Sequence, residues 1–140
     1  MKWLQLFLLL MLFCTVCRAQ HLARLESRSF YHPEHGVKQL IRSLESENRG
    51  FFALEPKKRD AEFDRIGSVC INDPKHKEDL VCRAIGEISL TLERFAKDRE
   101  IVLLIDVCYG NVTTLYGQIN VADAEDITHL FIEEYNRRHP

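Results

Sequence analysis

The chain opens on MKWLQLFLLLMLFCTVCRA, and no other stretch constrains the rest as strongly. Lys2 places a positive charge before an apolar run from Leu4 to Val16, broken only by Gln5 and Thr15. Cys17-Arg18-Ala19 sets small residues at the −3 and −1 positions of a cut between Ala19 and Gln20. That layout is a secretory signal peptide. The apolar run is about 13 residues, and a spanning helix needs about 20, so a membrane anchor is the weaker reading. No later stretch is long enough to span.

Export sets the terms for everything downstream. The full chain of 140 residues holds 19 Lys+Arg, 21 Asp+Glu and five cysteines. Removal of residues 1–19 leaves 17 basic residues against 21 acidic ones. It also leaves three cysteines, Cys70, Cys82 and Cys108. A chain of about 120 residues buries roughly two-thirds of its unfolded surface, so it does not depend on disulfides for a core. The near-neutral balance of the full chain argues against nucleic acid as a partner. The apolar content, 46%, argues against disorder.

Charge divides the remainder. Residues 20–59 carry eight basic and five acidic side chains; residues 60–140 carry nine and sixteen. The junction is Lys57-Lys58-Arg59, a candidate processing site in a secreted chain, or simply an exposed charged turn. The expected organisation is therefore a signal peptide over 1–19, an N-terminal arm over 20–59 with one helix, and a compact domain over 60–140. Cleavage after Arg59 would make the arm a pro-segment and release an 81-residue acidic domain.

In the arm, Val37, Leu40, Ile41 and Leu44 form one helical stripe. Pro33 suits its first turn and Gly50 its C-terminal end. Phe51 to Leu54 is a short strand or packed loop, and residues 20–31 lack periodicity. Further on, Arg65 to Ile71 is expected as a strand through Ile66, Val69 and Ile71. Asp73-Pro74 marks a helix start. That helix runs to about Lys97, with Val81, Ala84, Ile85, Ile88, Leu92, Phe95 and Ala96 on its buried face. Ile101 to Cys108 is apolar on both faces and reads as a central strand. Gly110-Asn111 is a hairpin turn, and Thr113 to Val121 alternates as a strand with one wet face. A last helix is capped by Asp123 and carries Ile127, Leu130, Phe131 and Tyr135 inward. The expected fold class is α+β: a small antiparallel sheet with helices packed on one face, in the order α-β-α-β-β-α.

Few residues suggest chemistry. An oxidising compartment favours a bridge, and Cys70–Cys82 is the preferred pair, with Cys82–Cys108 the competitor. Cys108 is then a free thiol, a link between two copies of the chain, or a nucleophile. The last role would draw on His76 or His129 as base and Asp106 as orienting carboxylate, but no nucleophile signature surrounds Cys108. Asp106 in an apolar strand needs a hydrogen-bond partner or a place at the rim. Asn111-Val112-Thr113 is an N-glycosylation acceptor. His32 and His35 lack a third ligand, so no metal is expected, and no cofactor fingerprint is present. The leading expectation is a small secreted, N-glycosylated protein, not an enzyme, that acts by binding another macromolecule as a ligand, inhibitor or modulator. The alternatives are the precursor cut after Arg59 and a secreted enzyme using Cys108.

Overall fold

The computed structural model describes residues 2–6, 21–109, 113–114, 117–118 and 124–140. Residues 2–6 form a short helical stretch. The elements that follow are β1 (His21–Leu25), α1 (Lys38–Glu47), α2 (Pro56–Asn72), α3 (Leu80–Asp98), β2 (Ile101–Asp106), β3 (Thr113–Thr114), β4 (Gly117–Gln118), β5 (Glu125–Asp126) and α4 (Thr128–Arg138). Single 3₁₀ turns lie at Ser27–Tyr31, Phe51–Ala53, Pro74–His76 and Val107–Tyr109.

The main sheet has three strands in the order β2-β1-β5, and both pairings are parallel. The antiparallel sheet expected from the sequence is therefore wrong. The cause is β1. Its five residues bury Ala23 and Leu25 and leave Leu22 and Arg24 half-exposed. That alternation is too short to stand out, so the 20–31 stretch reads as a loose arm. Without β1, the later strands have only each other to pair with. With it, three helices separate β1 from β2, and a crossover of that kind returns the chain in the same direction. β1 is the middle strand and β2 an edge, not the centre.

Other elements shift for physical reasons. The expected strand at Arg65–Ile71 lies inside α2, where Phe63, Ile66 and Cys70 share one helical face. Ile71, taken as a strand residue, is 82% exposed. Asp73 does cap, accepting from the Lys75 amide at 3.0 Å, but it caps only one 3₁₀ turn, and α3 starts at Leu80. Thr113–Thr114 and Gly117–Gln118 pair antiparallel with each other instead of forming the single strand expected over Thr113 to Val121. Alternation marks strand residues but not where one strand ends and the next begins. At the N-terminal boundary of α4 and along it, Ile127, Phe131 and Tyr135 are buried as expected, while Leu130 is 43% exposed and Ile132 takes the inward place. Pro33 precedes α1, whose N-terminal boundary is Val37. Gly50 follows α1 at φ +86°, a conformation that favours glycine. Gly86 has open space around it rather than a close-packed neighbour.

The core is aromatic. Phe131 meets Phe30 at 5.5 Å, Phe95 at 5.4 Å and Tyr135 at 6.0 Å between ring centroids. Tyr31 stacks on Phe63 at 4.3 Å. Residues of the 20–59 stretch (Ala23, Leu25, Phe30, Leu40, Leu44) pack into the same cluster as Val81, Ile88 and Phe131.

Candidate functional site

An open cleft of about 300 Å³ lies between α2, α3 and the sheet. Phe63 of α2 forms one wall. Ile85, Ile88, Ser89 and Leu92 of α3 form another, and they share a side because their spacing follows the helical turn. Leu25 and Leu104 supply the floor. Their partners in the register are Asp106 and Ala23, and residues opposite each other across a strand pair face the same way. Phe30 and Leu40 complete the apolar lining. The sequence marks the α3 residues as a core stripe; it gives no sign that the far end of that stripe stays open, because that depends on α2 lying opposite.

The mouth is polar. Asp106 Oδ1 accepts the Ser27 amide at 3.3 Å and the Cys108 amide at 3.1 Å. The carboxylate in the apolar strand thus sits at the strand end and holds the next turn, as an unpaired buried charge could not. Nearby, Tyr31 donates to Asp60 at 2.5 Å and Arg28 pairs with Asp60 at 3.6 Å. Burial, followed by that hydrogen bond, holds the Tyr31 phenol far above its ordinary range. Among the described residues Cys108 is the free cysteine, and it is half-buried. Burial pushes its thiol up, with Asp106 adding to the effect, so at neutral pH it is the poorly nucleophilic thiol form.

The histidines named with Cys108 lie elsewhere. His76 Nδ1 pairs with Asp79 at 2.7 Å at the start of α3. His129 borders a separate cleft with His35 and Glu133. His32 and His35 stack ring on ring at 5.1 Å, and no group of three or more metal-ligating side chains occurs among the described residues. No helix among them is long and apolar enough to cross a membrane. Ala19, Gln20 and Asn111 fall outside the described residues. Lys57, Lys58 and Arg59 occupy the first turn of α2, and the Arg59 guanidinium donates to the carbonyls of Phe52 and Leu54 at 3.0 and 3.2 Å.

The disulfide is Cys70–Cys82. It joins the last turn of α2 to the first turn of α3, so the sequence reading names the right pair while mistaking the element that carries Cys70. A second cleft of about 420 Å³ surrounds it. Its charged groups are committed inside the protein: Arg65 to Glu62, His76 to Asp79, and Glu47 to the backbone amides of Leu80 and Val81. The Phe63–Leu92 cleft keeps open apolar walls and is the better binding surface.

Set against known protein families, curated proteins and solved structures, the chain matches none.

Proposed function

We propose that this is a small secreted protein, glycosylated at Asn111, that acts by binding another protein through the Phe63–Leu92 cleft. The cleft carries the reading. Phe63, Ile85, Leu92 and Leu104, from two helices and the sheet, stand half-exposed there beside the buried core. Filling such a site with one leucine-sized side chain contributes about 1.5–3 kcal/mol, so two anchors and a polar rim give a specific complex.

Secretion is supported from two sides. Trp3 and Leu4 are 87% and 71% exposed, as apolar residues of a removable leader would be, since they serve no core. The Cys70–Cys82 bridge is compatible with an oxidising compartment.

The test is expression of the full chain in secreting animal cells. The protein in the medium is expected to start at Gln20, to carry one intramolecular bridge and no intermolecular one, and to lose glycan mass on Asn111→Gln. A chain retained inside the cell with residues 1–19 attached would refute the reading.

A further inference from the structure

We propose that the cleft takes a segment of a partner protein in which apolar side chains stand beside a lysine or arginine. This deepens the binding reading above and rests on it. Two features of the cleft select such a partner.

The first is shape. Ile85, Ser89 and Leu92 run along one wall at i, i+4 and i+7, which spans roughly 10 Å, or two helical turns. An open trough of that length and about 300 Å³ accepts two or three side chains from a helix or an extended strand. It is too small for a second folded element.

The second is charge. Asp106 lines the cleft, and Asp60 pairs with Arg28, which follows the lining residue Ser27. With Arg28 matched by Asp60, the Asp106 carboxylate leaves the mouth negative. An apolar anchor flanked by a cation complements it, while one flanked by Glu or Asp meets like charge. Such complementarity governs partner choice and on-rate more than raw affinity.

The experiment selects a random twelve-residue peptide library on the intact secreted protein. It then measures the enriched peptides on three variants: Ser89→Trp, which fills the trough from an exposed position; Leu92→Asp, which charges a half-buried wall; and Asp106→Asn, which keeps the accepting oxygen and removes the charge. Circular dichroism confirms that each variant folds, and Ser89→Trp keeps the test valid if Leu92→Asp does not.

The expected peptides pair Leu, Ile or Phe with Lys or Arg. They lose binding on Ser89→Trp, weaken about ten-fold on Asp106→Asn, and weaken further as salt rises. Enriched apolar peptides without a cation that still depend on Ser89 would overturn the charge selection and leave the cleft reading standing. The same holds for a concentration-dependent dimer that Ser89→Trp abolishes, which would make a second copy of this chain the occupant. If no enriched peptide depends on Ser89 or Leu92, both readings fall.

Discussion

His21 is one residue with two acceptors. Its Nε2 meets the Glu125 carboxylate at 2.7 Å, and its Nδ1 meets the Arg99 carbonyl at 3.3 Å. Neither partner can donate, and a neutral imidazole donates from only one nitrogen. Both contacts together therefore require the imidazolium. The hydrogen bond donated to Glu125 first, then that to the Arg99 carbonyl, raises the His21 pKa above its ordinary 6.5. The neighbouring charges are the Arg24–Asp126 pair, one rung along the same two strands at 3.9 Å. A raised folded-state pKa stabilises fully below the unfolded value and is lost as pH rises through the folded value. An NMR titration of His21 should thus show a midpoint above 6.5, moving back toward it on Glu125→Gln; a wild-type midpoint at or below 6.5 contradicts the clamp. Tyr135, buried and donating to Gln39, is pushed up to about 12, first by burial and then by Glu87, so it stays protonated across that range. Single residues were unevenly legible. Asp106 in an apolar strand announces that it needs a partner, and it has one. The His21 clamp has no local signature, because Glu125 lies 104 positions away.

Helices α2 and α3 depend on contacts their own sequences do not contain. Asp79 precedes α3 but makes no side-chain cap, because its carboxylate serves His76. Glu47, at the end of α1, instead accepts the Leu80 and Val81 amides. This satisfies donors that a helix start leaves open. The Cys70–Cys82 bridge ties the same end of α3 to α2 across a separation of 12 residues. A Cys70→Ser/Cys82→Ser double variant should lose about 3 kcal/mol of stability by urea unfolding; a loss below about 1 kcal/mol would show that packing alone holds the two helices. The apolar stripe of α3 is readable because nineteen residues repeat it. α2 is misread because Ile66, Val69 and Ile71 imitate a β-branched strand, while its helical face is completed by Phe63 and Cys70. β1 is unreadable alone: five residues become a strand only because β2 and β5 flank it.

The molecule as a whole turns on that middle strand. The charge break at Arg59 suggests an arm and a domain, yet the two stretches share one core. β1 sits between β2 and β5, and Arg59 and Asp60 stand in one helix, bonded back to Phe52, Leu54 and Tyr31. The cleft is shared too, since Leu25, Phe30 and Leu40 come from one side of the break and Phe63, Ile88 and Leu104 from the other. A chain cut after Arg59 would lose its central strand and part of its binding surface unless the pieces stayed together. The decisive comparison is between residues 20–140 and residues 60–140, each produced with the bridge formed and examined by two-dimensional amide NMR. The longer chain should give a dispersed spectrum and one cooperative unfolding transition, and the shorter one the collapsed spectrum of an unfolded chain. A dispersed, cooperatively unfolding 60–140 would contradict a single core built around β1, and with it the cleft that core presents.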